Sequence, residues 1–173
     1  MNNKIMIMTQ DKYGVPFFRN FTNRLKDESL LPNVHINSSK FYGACNPKLS
    51  RQLIAFKYLR CYDYFIIVAD ADGGNIKTLC ENILCHIPEN FRDMTDIIIF
   101  KDEIEEWICY SDNIDYENKP SKMLREKKGY EKYKLPSYAF KLNILKLRSG
   151  CVSFCNFFEK ITLCCAHART NNA

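Results

Sequence analysis

An uncharged apolar run that ends in two aspartates constrains this chain more than any other stretch. The run, Tyr64 to Ala69, is typical of a strand buried on both faces, as in a parallel sheet covered by helices. Asp70, Ala71 and Asp72 follow it, and a Gly-Gly pair then breaks the strand. Because ligands of open α/β sheets bind beyond the carboxyl ends of the strands, the sequence predicts a functional edge at this point.

The two aspartates support two interpretations. Asp70 and Asp72 are two positions apart, so they share one side of an extended chain, and close carboxylates repel each other unless a cation lies between them. A hard divalent cation, Mg²⁺ by default or Mn²⁺, would remove that repulsion. In the alternative interpretation one carboxylate is a cap and the other is a turn residue before the glycines. Both interpretations stay open at this stage.

Buried apolar runs alternate with amphipathic segments along the first hundred residues. We predict β-strands at 4–9, 33–37, 63–69 and 95–100. Helices are expected to begin near Pro16, Pro47 and Asn75, the last of them burying Ile76, Leu79, Ile83 and Leu84. This β-α-β-α-β-α-β order predicts an α/β fold with a mainly parallel four-stranded sheet flanked by helices.

The chain after Lys101 is helical in pattern. We expect a short helix at 102–110, an acidic loop at 111–118, a basic helix at 121–128, and longer amphipathic helices at 135–148 and 152–166, with a frayed end at 167–173. No segment resembles a linker, which favours a single domain over 1–173, with an α/β core at 1–110 and a basic helical extension at 111–166. The lone Trp107 is expected in the core, with base stacking as the alternative.

Composition and cysteine spacing argue against several classes of protein. Hydrophobic residues make up 46% of the chain, which is typical of a globular protein, and no apolar run reaches the ~18 residues of a membrane helix. The first residues lack the features of a signal peptide, so we expect a cytoplasmic protein with reduced thiols and no membrane partner. The nine cysteines form no C-x-x-C pair and are not spaced with the histidines as zinc ligands would be.

Positive charge is concentrated in one segment. The net charge is +5, yet residues 119–148 hold ten Lys or Arg against two acids, which leaves 15 basic and 18 acidic residues elsewhere. Such a division suits a polyanion held by one region and cations held by another, so nucleic acid is the expected partner, with a second copy or another protein as further partners. The candidate nucleic-acid contacts are Lys119, Lys122, Arg125, Lys127, Lys128, Lys132 and Lys134. A solvated lysine-rich helical face is the alternative.

Five short motifs follow one another along nearly the whole chain: V-A-D-A-D at 68–72, I-E-E-W at 104–107, K-P-S-K-M-L at 119–124, G-Y-E-K at 129–132 and V-S-F-C-N-F at 152–157. In this order they resemble the TOPRIM superfamily, and most closely the small TOPRIM-like proteins related to OLD-type nuclease domains. The resemblance implies a Mg²⁺-dependent fold that cuts or joins phosphodiester bonds. It also implies metal ligation by Asp70 and Asp72, with Lys122 and Lys132 able to reach a scissile phosphate.

The acid that the family carries after its first strand differs here. The usual Glu-Gly pair is absent; spacing back from Phe18 gives Asp11, and spacing back from Phe17 gives Gln10. Glu105 matches the acid of the I-E-x-W pattern, although it also suits a helix N-terminus. The candidate metal ligands and catalytic acids are therefore Asp11, Asp70, Asp72 and Glu105, with Lys122 as a further catalytic candidate.

Two functions compete at this stage. The first is a metal-dependent TOPRIM-like nuclease of DNA or RNA, acting in phage defence or a mobile element. The alternative is a nucleic-acid-binding or regulatory protein that has the same fold without catalysis. A receiver-like or phosphatase function is less well supported, because the chain has no DxDGT-type motif and that function leaves the basic segment unexplained.

Overall fold

The sheet is fully parallel. The computed structural model describes residues 4–43, 46–117 and 119–170, with the backbone alone for 167–170; Cys45, Asn118 and the end of the predicted frayed segment lie outside the described residues. Its strands are β1 (Lys4–Thr9), β2 (His35–Lys40), β3 (Tyr64–Asp70) and β4 (Thr95–Phe100). Their order is β2-β1-β3-β4, so the apolar run forms an interior strand between β1 and β4. The predicted four-stranded parallel α/β fold is confirmed.

Helices cover both faces of the sheet. The three crossover helices are α1 (Gly14–Asp27), α2 (Lys48–Arg60) and α3 (Ile76–Leu84). The helices after the sheet are α4 (Glu106–Ser111), α5 (Pro120–Lys128), α6 (Leu135–Tyr138), α7 (Ile144–Gly150) and α8 (Val152–Thr170). A core on one face joins α1 to the helices after β4, and a smaller core on the other face joins α2 and α3 to the sheet. The later helices therefore share one core with the first crossover. Within the described residues, no helix has the length and apolar character needed to cross a membrane.

Aromatic rings dominate the larger core. Trp107 is fully buried and contacts six phenylalanine rings: Phe17, Phe18, Phe21, Phe100, Phe154 and Phe157. The rings come from α1, β4, α4 and α8, so this cluster fixes α4 and α8 against the sheet. The expectation that Trp107 belongs to the core is confirmed. Its indole N–H donates to Ser153 Oγ at 3.0 Å, so the Ser153 hydroxyl joins α4 and α8.

The second strand lies later than predicted. The pattern placed it at 33–37, whereas β2 runs to Lys40 through polar residues that the pattern assigned to a loop. As an edge strand β2 can carry polar side chains, because they find partners along the edge. The Ser38 hydroxyl donates to the Val15 carbonyl at 2.6 Å, and the Asn37 amide donates to the Tyr62 hydroxyl at 3.3 Å.

Burial near the other edge is also lower than predicted. In α3 only Ile83 is buried, whereas Ile76 and Leu84 are 44% and 36% exposed, so their predicted inward placement is wrong. The three isoleucines of β4 alternate between partly buried and buried, because β4 is an edge strand and not an interior one. The helix predicted at 102–110 begins only at Glu106.

The helix predicted at 135–148 is interrupted. It consists of α6 and α7, separated by 139–143, where the Asn143 side chain accepts from the Lys146 N–H and begins the second helix. The interruption exposes carbonyl groups that an unbroken helix would use internally. Arg24 Nη1 donates to two of them, those of Ala139 and Leu142, at 3.2 and 2.8 Å. This arginine therefore links α1 to the interruption.

Candidate functional site

The carboxyl edge of the sheet brings together acids from three separate elements. Asp11 follows β1, Asp70 is the last residue of β3, and Glu105 precedes α4. The side chain of Gln10 joins the first two elements, because its Oε1 accepts from the Asp70 backbone N–H at 3.2 Å. The Ile104 N–H donates to Asp70 Oδ1 at 3.2 Å, which joins the segment of Glu105 to the end of β3. The predicted convergence of these acids follows from neighbouring parallel strands ending at one edge.

The Lys132 ammonium lies among these acids. Its Nζ is 3.1 Å from Asp11 Oδ2 and 2.8 Å from Glu105 Oε1, and it donates to Glu105 Oε2 at 2.9 Å. Burial lowers the pKa of Lys132, but the carboxylates of Glu105, Asp70 and Asp11 together outweigh burial, so the pKa is raised. Lys132 is therefore a fixed positive charge within an acidic centre. Lys132 was predicted to contact nucleic acid, whereas its ion pairs with Asp11 and Glu105 were not predicted.

Glu105 is the most deeply buried acid of the centre. Its side chain is 0% exposed, and the Tyr130 hydroxyl donates to Oε1 at 2.6 Å in addition to the contacts from Lys132. Burial and the negative charge of Glu105 raise the pKa of Tyr130, which keeps this hydroxyl a donor. Both oxygens of Glu105 are thus engaged by groups of this chain.

Asp70 is the acid whose charge is least compensated. Burial raises the pKa of its carboxyl to about 7; Lys132 opposes the rise, whereas Glu105, Asp72 and Glu103 add to it. Asp70 therefore changes charge near neutral pH, which is the property expected of a group that exchanges protons or responds to a cation. Its Oδ2 has no donor from the described part of the chain.

Asp72 lies at the exposed rim of the centre. Its side chain is 64% exposed, its φ of 49° is left-handed, and Lys119 Nζ is 3.9 Å from its Oδ1. The Asp72 N–H donates to the Asp102 carbonyl at 3.0 Å, which ties the Asp-x-Asp turn to the end of β4. Asp72 is thus close enough to Asp70 to raise its pKa, yet its carboxylate is open to solvent.

The predicted nucleic-acid contacts separate into two groups. Lys119, Lys122, Arg125, Lys127 and Lys128 are exposed on or beside α5, and Lys128 pairs with Asp112 at 2.6 Å. Lys122, Arg125 and Lys127 have no ion-pair partner in the described residues, so their charge is directed to solvent. Lys134 donates to the Gly129 carbonyl at 2.7 Å, and Lys132 belongs to the acidic centre.

The donor set was compared with the needs of a divalent cation. No three His, Cys, Asp or Glu side chains in residues 4–43, 46–117 and 119–166 form a group that could hold a metal ion. Asp11 and Glu105 are engaged by Lys132, and Asp11 Oδ1 also accepts from the Tyr13 N–H at 2.8 Å. Asp70 and Asp72 remain, and Mg²⁺ characteristically binds one or two carboxylates together with waters and substrate phosphates. Metal ligation by Asp70 and Asp72, like that by Asp11 and Glu105, stays a prediction.

Two contributors were not identified from the sequence. Tyr130 positions Glu105, and Gln10 accepts from the Asp70 backbone. The signal for Tyr130 is in the G-Y-E-K motif: Tyr130 and Lys132 flank the extended residue Glu131, so their side chains share one side of the chain. Spacing back from Phe17 indicates Gln10 as the residue at the position of the family's acid, but it does not predict the contact with the Asp70 backbone.

Comparison with known proteins adds no relative, because neither a family model, nor a curated protein, nor a solved structure matches this chain.

Proposed function

We propose that this protein is a metal-dependent, TOPRIM-like nuclease that hydrolyses phosphodiester bonds of DNA or RNA, with Mg²⁺ or Mn²⁺ as cofactor and phage defence or a mobile element as setting. The observation that carries the proposal is the acidic centre, in which Asp11, Asp70 and Glu105 surround the single Lys132 ammonium at the carboxyl edge of the sheet. Three carboxylates against one ammonium leave excess negative charge, which favours the binding of a divalent cation.

Asp70 and Asp72 are the residues that would hold the cation. A bound divalent ion supplies activated water and neutralises the charge that develops on phosphate oxygens. Asp72 is accessible from solvent, and Asp70 lies deeper, so the pair offers one outer and one inner ligand. A cation at Asp70 would lower the pKa of that carboxyl from about 7 and keep it ionised at neutral pH.

Phosphate positioning then falls to another residue. Lys132 Nζ remains charged and is held by Asp11 and Glu105, so it presents a positive charge at a fixed place beside the acids. Tyr130 keeps Glu105 oriented toward that ammonium.

Substrate binding is assigned to α5. Lys122, Arg125 and Lys127 project into solvent, and Lys119 connects that row to the acidic centre through Asp72. A phosphate backbone lying along α5 would therefore pass close to the Asp-x-Asp turn. Electrostatic binding of this kind needs no base recognition and falls with increasing salt.

The test is a titration of Mg²⁺ and Mn²⁺ with labelled single- and double-stranded DNA and RNA, comparing the wild type with Asp70→Asn. We expect metal-dependent cleavage by the wild type and a loss of at least a hundredfold in the variant. Asp93→Asn, an exposed aspartate far from the centre, is the matched control and should cleave like the wild type. Cleavage that is unchanged in Asp70→Asn would contradict the proposal.

A catalytically inactive nucleic-acid-binding or regulatory protein is the second candidate. The observation that favours it is the engagement of both Glu105 oxygens by Lys132 and Tyr130, since an internal cation already stabilises part of the centre. Salt-sensitive binding of the same oligonucleotides without cleavage at any metal concentration would select this function.

A further inference from the structure

A cavity of about 680 Å³ lies beside the acidic centre and is not used by the function proposed above. It opens between the end of β4, helix α4, the segment 113–116 and the start of α8. Its volume falls within the range of about 300–1,000 Å³ that is typical of small-molecule sites. Exposed Ile76, which the sequence pattern placed inside the core, lines this cavity together with Ile99 and Ile114.

One carboxylate oxygen in the wall has no partner from the protein. Glu106 is 9% exposed, and its Oε1 accepts from the Ser153 hydroxyl, which in turn accepts from the Trp107 indole N–H. Glu106 Oε2 receives no donor from the described part of the chain. Among the described residues, Gln52 Oε1 is the sole buried side-chain oxygen or nitrogen that lacks a hydrogen bond. Glu106 Oε2 also lacks one, so it is not buried and must reach open space. That space is the cavity that Glu106 lines.

The wall combines this acceptor with flat and apolar surfaces. The rings of Tyr110 and Tyr116 line it, and Tyr110 is 37% exposed. The lining holds two cations, Lys101 and Lys146, and two carboxylates, Glu106 and Asp115, so its formal charges balance and it does not call for a charged ligand. The chemistry selects a neutral, planar ligand with an N–H donor at one edge.

The cavity borders the proposed substrate path. A second hollow of about 550 Å³ shares Asp115 and Tyr116 with it and also includes Lys119 and Lys122. Lys119 Nζ is in turn 3.9 Å from Asp72 Oδ1. A strand held along α5 at the Asp-x-Asp turn would therefore have the cavity beside it.

We propose that this cavity receives an unpaired nucleobase of a bound single strand, with Glu106 Oε2 accepting an N–H from the edge of the base and the tyrosine rings contacting its face. That the base comes from a bound strand rests on the proposed function. That the cavity prefers a nucleobase rests on the residues that line it. The substrate would accordingly be single-stranded or locally unpaired.

The single tryptophan provides a direct test. Trp107 is the sole indole of the chain, and Ser153 couples its N–H to Glu106, so one indole N–H resonance reports on the cavity. We expect guanosine, which carries N–H donors on its pairing edge, to shift that resonance saturably in the ¹⁵N-labelled full chain, whereas ribose should not. In Glu106→Gln the amide can keep the Ser153 contact through its oxygen, and binding should weaken roughly tenfold or more, as for loss of a hydrogen bond to a charged group.

Two further variants keep the test decisive. Ile76→Phe fills the cavity from an exposed position and should weaken guanosine binding even if Glu106→Gln fails to fold. Glu89→Gln alters an exposed acid outside the lining and should bind guanosine like the wild type. The absence of a saturable shift in the wild type, or wild-type affinity for guanosine in both Glu106→Gln and Ile76→Phe, would overturn the proposal.

An oligonucleotide experiment separates this inference from the proposed function. A single-stranded oligonucleotide should shift the indole resonance, and the same oligonucleotide with abasic positions should bind without shifting it. If the two oligonucleotides shift it equally while cleavage is observed, the nucleobase cavity is wrong and the nuclease function stands. If guanosine shifts it and no strand is bound or cut, the cavity stands and the nuclease function is wrong.

Discussion

The position of Lys132 determines how the acidic centre behaves without a metal ion. A lysine in a basic segment is ordinarily a solvated charge, and the motifs predicted at most that Lys132 could reach a phosphate. Its 2.8 Å contact with the fully buried Glu105 makes it a structural counter-ion. The buried carboxylate would otherwise carry an uncompensated charge, which folded proteins avoid. Lys132 therefore stabilises the fold in addition to any contact with substrate.

Removal of that counter-ion should destabilise the protein measurably. We predict that Lys132→Met lowers the free energy of unfolding by about 3 kcal/mol, the lower end of the range for breaking a buried ion pair, because Tyr130 still donates to Glu105. Urea denaturation measures the change. Lys127→Met, which removes an exposed lysine without an ion pair in the described residues, should cost less than about 0.5 kcal/mol.

The double variant gives the sharper result. Adding Glu105→Gln to Lys132→Met removes the buried charge, so much of the lost stability should return. If the two substitutions instead destabilise the protein additively, the ion pair is not what Lys132 contributes.

Helix α5 shows how an element is positioned for solvent-facing charge. Pro120 opens the helix, Gly129 ends it in the left-handed conformation, and the Glu103 carboxylate accepts from the Ser121 N–H at 3.0 Å near its first turn. Leu124 fixes the helix to the core, which leaves its cations outside. Helix α5 lies within one residue of the predicted 121–128, whereas the contact with Glu103 was not predicted.

Charge reversal on α5 tests its role. The triple variant Lys122→Glu, Arg125→Glu and Lys127→Glu should abolish nucleic-acid binding, since each phosphate contact contributes roughly 0.7–0.9 to the slope of log affinity against log salt. Fluorescence anisotropy at several salt concentrations measures affinity and slope together.

The matched control reverses three exposed cations of α2, namely Lys48, Arg51 and Arg60, and should bind with little change. Equal losses of affinity in the two triple variants would mean that net charge, and not α5, governs binding.

Helices and strands were predictable where the local sequence pattern and burial agree. They were not predictable where tertiary contacts determine where a helix begins or ends. The strands β1, β3 and β4 and helices α1, α2 and α5 follow from continuous apolar runs, apolar spacing and helix-starting prolines. The interruption before α7 depends on Arg24, more than a hundred residues away, binding carbonyl groups there. The acids were predictable because strand ends of a parallel sheet meet at one edge, whereas the inward turn of Lys132 depends on packing after Gly129.

Whole-molecule stability should depend on pH through the buried carboxyl groups. Burial raises the pKa of Asp70 to about 7 and also raises that of Glu106. A raised folded-state pKa means that the folded protein binds the proton more tightly than the unfolded chain. Below about pH 4 both states are protonated; between about 4 and 7 the unfolded chain ionises first, so the free energy of unfolding falls as pH rises.

The Asp70 contribution amounts to roughly 4 kcal/mol at most, at about 1.4 kcal/mol per pKa unit. Asp70→Asn should therefore flatten the pH dependence between 4 and 7 and raise stability at pH 8, as measured by urea denaturation at each pH. Asp93→Asn should leave the curve unchanged. A curve that keeps its full slope in Asp70→Asn would show that Asp70 is ionised at neutral pH in the folded protein.

The strand order also has a kinetic consequence. β1 pairs with β2 on one side and with β3 on the other. The β1–β3 partners Ile5 and Tyr64 are almost twice as far apart along the chain as the β1–β2 partners Lys4 and His35. Closing the longer loop costs only about 0.6 kcal/mol more per doubling of its length, but parallel pairings of distant segments slow folding. The β1-α1-β2 unit would thus assemble early, and the slow step would be the entry of β3 beside a strand that already has one neighbour. Until that step is complete, one edge of β1 remains open to pairing with another chain, so newly made protein is most prone to aggregation in that interval.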